Sequence, residues 1–326
     1  MPFLCLKVDV DTLRGTLEGV PRLVELFKRE QVGATFLFSL GPDNTGRAIK
    51  RIFRPGFLAK VRRTSVRSNY GLKTLLYGTL IPGPDIGKRA AEPMQAARDA
   101  GFECGIHCWD HVSWQDGVMK KSPEWARDQM DRAHERFTQI FGQPAQTWGA
   151  AGWQMSVEAL RHQGALGYRY ASDVRSDPPT LTPAKDSDTG SVFWPLVEGE
   201  ALPVPQVTGT LPTLDELIGL DGCTAENVHE HLLQLTAHNR RDHVFTLHAE
   251  LEGMALLAVM ERLLAGWRDQ GYSLVSTGTY FDTLNTDALP YCELDWAEIA
   301  GRSGTLVKQG QPYLAHLAHL AQTIRQ

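Results

Sequence analysis

The sequence predicts an α/β fold in which parallel strands curl into a distorted barrel under a layer of helices. Two observations carry this expectation. Short apolar strands alternate with amphipathic helices for about seven rounds, the pattern of repeated βα units. The candidate reactive side chains then fall just after the strands, where α/β barrels carry their chemistry: Asp9 and Asp11, His107 and His111, Asp173, and His248.

Phe3 to Val10 opens the chain as a near-continuous apolar run, the signature of a buried parallel strand. Asp9 and Asp11 sit two residues apart where it ends, and buried carboxylates demand a metal, a basic partner or a catalytic role. Gly19 to Gln31 reads as an amphipathic helix with Pro21 in its first turn. Ala34 to Leu40 is the second strand, Ala90 to Ala100 a helix, and Phe102 to Ile106 a third strand ending at His107. Trp125 to Ile140 follows as a long charged helix behind Ser122 and Pro123. Thr147 to Trp153 is a small-residue strand and loop, Val157 to Gln163 a helix, and Tyr168 to Ser172 a strand ending at Asp173. After a loop-rich stretch, Ala225 to Arg240 is a helix with Thr224 as its N-cap. His243 to Leu247 is a strand ending at His248, Leu256 to Gln270 a helix, and Tyr272 to Val275 a last strand. We read residues 1–285 as one catalytic barrel and 286–326 as a tail packed on or flanking it.

The 326 residues carry a net charge of −5, which argues against general nucleic-acid binding. Five cysteines without a pairing pattern fit a reducing compartment. With no signal peptide or membrane-length apolar run, the expectation is a cytoplasmic protein, and no obligate protein partner is inferred. One stretch departs from the barrel pattern. Residues 44–84 hold nine basic and no acidic residues, interleaved with apolar ones. This reads as an insertion after the second strand that faces anionic lipid, with Arg54, Arg62, Arg63 and Arg67 as candidate contacts.

His107 and His111 have a spacing at which two imidazoles converge on one ion. With a carboxylate from Asp9-Val10-Asp11 they leave open positions for water and substrate. The second carboxylate can accept a proton from that water, and His248 can protonate a leaving group. Asp9-x-Asp11 with Thr12 also approaches the nucleophile motif of haloacid-dehalogenase phosphatases. That reading places the Thr one position early and leaves the three histidines unused.

Together, Asp9-Val10-Asp11, His107 to His111 and Thr246-Leu247-His248 resemble the motifs of the polysaccharide deacetylase family, which has the carbohydrate esterase family 4 fold. The resemblance spans residues 3–280. It implies a distorted (β/α)7 barrel and a metal-dependent amide hydrolase. The stretches VDVDTLRGTLEGVPRL, FSLGPDNTGR, HCWDHVSWQ, AAGW, SDVRS and TLHAELEG resemble the branch that deformylates a polyprenyl-phosphate-linked formamido-arabinose at the cytoplasmic face of the inner membrane. That activity serves lipid A modification and polymyxin resistance; the alternative is deacetylation of another N-acylated sugar.

The resemblance implies that Asp11, His107 and His111 hold one divalent ion, whether zinc, cobalt or manganese. It makes Asp9 the general base and His248 the general acid. The family's usual first motif has adjacent aspartates, here split by Val10. Its third motif brings an Arg to the catalytic Asp, and TWGAAGW has none, so Arg175 is the candidate replacement. Asp173 is expected to orient His248. Ala150, Ala151 and Gly152 are expected to approach the acyl group, with a backbone N–H near Ala150 or Ala151 for the oxyanion. Trp109, Trp114 and Trp153 are expected to stack on the sugar.

Overall fold

The structure is a computed structural model that describes residues 1–48, 74–181, 191–220, 222–299, 302 and 304–313. Twelve strands form one sheet among these residues. In chain order they are β1 (Phe3–Val10), β2 (Thr35–Ser39), β3 (Glu103–Cys108), β4 (Thr147–Trp148), β5 (Tyr170–Ala171), β6 (Val192–Val197), β7 (Glu200–Ala201), β8 (Gln206–Val207), β9 (His243–His248), β10 (Ser273–Val275), β11 (Tyr291–Glu298) and β12 (Thr305–Pro312).

Seven of these pair in parallel in the order β9, β1, β2, β3, β4, β5, β8. Just past β8, the amides of Thr210 and Leu211 donate to the Val244 carbonyl of β9, which brings the curled sheet back on itself. The distortion lies on one side, where β4 and β5 are two residues each and β5 meets β8 at one residue pair. This is the seven-stranded barrel the sequence predicts.

Side-chain alternation along β1 divides the interior. Leu4, Leu6, Val8 and Val10 join the main apolar cluster with the surrounding helices. Cys5, on the opposite face, packs with Tyr170, Val207, Val244 and Tyr280 in a second cluster. Lys7 and Asp9 continue that second face, so it turns from apolar to charged as it nears the catalytic end.

The helices outside the sheet start and stop where side-chain chemistry directs. Ser122 caps the helix Pro123–Phe141 through the Trp125 amide, and Gly142, at φ 75°, ends it in the left-handed region. Ser156 caps Val157–Ala165 through the Ala159 amide. Three boundaries differ from expectation. The first helix is preceded by a π-helical turn, Gly15–Gly19, and β3 runs through His107 to Cys108. Asn227, and not Thr224, holds the N-cap position of Val228–His238; its Oδ1 accepts from the Thr224 amide and so closes the turn before the helix.

The region after residue 286 extends the sheet. β11 pairs with β6 and with β12, and β12 bridges back to Arg175 beyond β5. Of the insertion at 44–84, residues 49–73 lie outside the described residues, and with them Arg54, Arg62, Arg63 and Arg67. All five cysteines are unbridged.

Candidate metal centre and active site

Asp11, His107 and His111 converge, with one ligand atom from each lying within 4.8 Å of the others. Asp11 follows β1, His107 is next to last in β3, and His111 opens the helix His111–Gly117. The His-x-x-x-His spacing therefore works across a strand end and a helix start. Asp110 makes this turn by accepting from the Ser113 amide at 3.0 Å as N-cap.

The donor set fits a cation. The Nδ1 of His107 donates to the Gly149 carbonyl at 2.6 Å, so neutral His107 turns the lone pair of Nε2 toward Asp11. That Nε2 stands 3.2 Å from Asp11 Oδ1, and His111 Nε2 stands 3.3 Å from the same oxygen. Lone pairs crowded on one carboxylate oxygen repel unless a positive charge lies among them. Burial alone would raise the Asp11 carboxyl; with no ion between them, the positive charge of the His111, His107 and His248 rings once protonated outweighs it and holds the group well below the usual range. Glu250 fixes the turn that carries Asp11, its Oε1 accepting from the Asp11 and Thr12 amides and from the Thr12 hydroxyl. Gly15 leaves room for that carboxylate, because a Cβ there would lie 1.9 Å from Glu250 Oε1.

Asp9 is buried beside this centre. Lys7 Nζ lies 3.5 Å from Asp9 Oδ2, and His107 Nδ1 lies 3.8 Å from Asp9 Oδ1. Lys7 also donates to the Ser172 carbonyl at 2.9 Å. Burial lowers the Lys7 ammonium, and Asp9 pulls it back up. The cation at Asp9 is thus Lys7, which corrects the expectation for Arg175. Arg175 is turned elsewhere by a two-toothed pair with Glu216 at 3.0 and 3.1 Å, and its guanidinium lies 4.6 Å from the Trp153 ring. Lys7 could have been found in the sequence by the period of two that aligns it with Asp9 and Asp11.

Asp173 does not touch His248. It accepts from the Ala150 amide at 2.7 Å, from Gln163 at 2.6 Å and from Gln206 at 3.3 Å, and burial raises its carboxyl to about 6. It therefore anchors the loop after β4. The carboxylate at His248 is Glu252, whose Oε2 accepts from the His248 amide at 2.7 Å and which burial raises to about 7. The π-helical turn Leu251–Ala255 brings it there, a backbone irregularity with no sequence signal.

The expected sugar platform also changes. Trp114 is fully buried between Trp125 and Trp148 and donates to the Gln154 carbonyl, so it is a core residue. Trp153 is buried under Arg175, Arg302 and Lys7. Trp109 stays half-buried, stacked by Arg136 at 5.2 Å. Ala150 and Ala151 are buried, and the Ala150 amide is already taken by Asp173. Gly152, at φ 62°, packs on Gln115, where a Cβ would meet Nε2 at 2.3 Å.

Residues 10–171 match the family model described as polysaccharide deacetylase. Across 304 residues the chain is 36% identical to the "probable 4-deoxy-4-formamido-L-arabinose-phosphoundecaprenol deformylase ArnD" of Shewanella sediminis, with 93% of both chains covered. The chain belongs to the polysaccharide deacetylase family. A second ArnD relative, from Wigglesworthia glossinidia brevipalpis, is 28% identical, covering 90% of this chain and 98% of its own. The fold of this deacetylase-family chain matches the crystal structure of a putative polysaccharide deacetylase from Mycobacterium smegmatis, at a TM-score of 0.57 and 15% identity, covering 90% of this chain and 95% of that one. Membership makes it a hydrolase of amide bonds, as the sequence motifs imply. In this family member the split first motif still delivers two carboxylates, because residues two apart on β1 face the same way.

Proposed function

We propose that the barrel removes the formyl group from undecaprenyl-phosphate-linked 4-deoxy-4-formamido-L-arabinose, giving formate and the free 4-amino sugar. The observation that carries this reading is the 36% identity, over nearly the whole of both chains, to a protein named for that reaction. The convergence of Asp11, His107 and His111 beside Asp9 supports it chemically.

Asp11, His107 and His111 would hold one divalent ion, with zinc, cobalt and manganese all suited to two imidazoles and a carboxylate. When bound, the ion supplies Lewis acidity toward the formyl oxygen and the attacking water. Asp9 accepts a proton from that water as general base. Lys7 holds Asp9 in place, and His107 is fixed by Gly149. The water oxygen bonds to the formyl carbon, and the C–N bond breaks as His248 delivers a proton to the sugar nitrogen. Glu252 and Glu250 hold the two turns that carry His248 and Asp11.

The same reading places the protein at the cytoplasmic face of the inner membrane, where the basic and apolar stretch at 44–84 would meet anionic lipid. Among the described residues no helix is long and apolar enough to cross a membrane. The role is lipid A modification by aminoarabinose and the polymyxin resistance it confers.

Mass spectrometry of the formamido-arabinose lipid, with and without the purified metal-loaded protein, tests the activity. A loss of about 28 mass units is expected, from exchange of formyl for hydrogen. No loss there, with a loss of about 42 on an N-acetylated analogue, would replace the reading by deacetylation of another sugar.

A further inference from the structure

Three cations gather on one buried indole at the catalytic end of the barrel. Lys7 Nζ lies 5.2 Å from the Trp153 ring centre, Arg175 4.6 Å and Arg302 4.2 Å. Lys7 belongs to Asp9. Arg175 and Arg302 share a single carboxylate, Glu216: Arg175 spans both oxygens, while Arg302 meets Oε1 through Nε at 3.0 Å. Two guanidiniums thus share one directly paired carboxylate, with Asp215 the next acidic group, accepting from the Thr213 hydroxyl. Arg175 is fully enclosed, whereas the Arg302 side chain keeps 14% exposure, so the pair reaches solvent through Arg302.

A second observation is independent of charge. Trp153 Nε1 and Arg175 Nε are buried donors with no acceptor among the described residues. Both flank Gly209, lying 3.6 and 3.5 Å from where its Cβ would stand. Buried N–H groups without partners are costly and call for an acceptor.

We propose that Arg302, on the Trp153–Arg175 platform, forms a subsite for a phosphate group. It adjoins the chemistry through a chain of contacts: Asp9 to Lys7 at 3.5 Å, then Lys7 and Arg302 both against the Trp153 ring. A phosphodiester has the charge and the acceptor oxygens the cluster lacks. Resting on the function proposed above, this phosphate is the one joining the sugar to its polyprenol. The C-terminal hairpin that delivers Arg302 is then part of substrate recognition, held by the Trp296 indole on the Met155 carbonyl.

The test compares the full-length, metal-loaded protein with Arg302→Ala and Arg302→Lys. Formate release is measured on the lipid-linked sugar and on the same formamido-sugar without phosphate. Arg302→Ala should lower the ratio of kcat/KM for phosphorylated over phosphate-free substrate about tenfold, the effect of one lost charge-assisted contact. Arg302→Lys, which keeps the charge, should recover part of that ratio. An equal fall on both substrates would mean a structural role and overturn the proposal. Calorimetry with undecaprenyl phosphate in micelles, and with inorganic phosphate, reads the subsite apart from turnover. Weaker binding in Arg302→Ala supports the subsite even if no formate is released, which would defeat only the deformylase reading. Weakening toward the lipid phosphate alone assigns the site to the lipid-linked group, and weakening toward both assigns it to phosphate in general. Unchanged binding of both ligands overturns it.

Discussion

Lys7 and Asp9, two residues apart on β1, face each other inside the barrel with 3.5 Å between Nζ and Oδ2, and both are buried. A cation on the same strand as the proposed general base needs no other loop to position it. Removing it as Lys7→Met leaves Asp9 buried without its partner, a loss on the order of 3–5 kcal/mol in stability. The proposed proton acceptor also loses its anchor, so kcat should fall while the bound metal is kept. Lys7→Arg keeps the charge and should restore part of both stability and kcat. Stability and kcat unmoved in Lys7→Met would exclude this role.

Asp9 and His107 should separate base from ligand. Asp9→Asn is expected to abolish turnover while the protein still carries its metal, measured by elemental analysis. His107→Ala should lose metal and activity together. Loss of metal from Asp9→Asn would reverse the assignment of the two aspartates.

Glu252 makes the fold sensitive to pH. Burial raises its carboxyl to about 7, above the ordinary value of 4.5. The native state therefore holds a proton that the unfolded chain releases, so between these values stability falls as pH rises. Above pH 7 the full penalty applies. Glu252→Gln, whose amide oxygen can still accept from the His248 amide, removes it. The variant should match the parent near pH 4 and gain on the order of 2–3 kcal/mol by pH 8 in denaturant titrations. An equal difference at both pH values would show that the carboxyl titrates normally.

Neutralising Arg62, Arg63 and Arg67 together should weaken binding to anionic vesicles in a flotation assay. The difference from the parent should shrink as salt rises, because exposed charges are screened within about 8 Å at physiological ionic strength. Unchanged vesicle binding would remove lipid contact from the proposed function of this stretch.

Much of the molecule could be read from the chain by itself. The βα rhythm predicts the seven parallel strands because buried strands and amphipathic helices each have a fixed apolar period. The strand-end positions of Asp11, His107, His111 and His248 mark the site for the same reason, since a barrel projects the residues at those ends toward one mouth. What tertiary structure alone decided is which charged groups meet. Arg175 follows YRYAS closely in sequence, yet the distant Glu216 captures it in a two-toothed pair. Asp173 is drawn to the Ala150 amide and two glutamines, leaving His248 to Glu252 through a π-helical turn. Trp114 lies inside because Trp125 and Trp148 enclose it. Periodicity fixes the face on which a side chain stands; its partner is chosen by segments far away in sequence, through contacts that exist only once the barrel has closed.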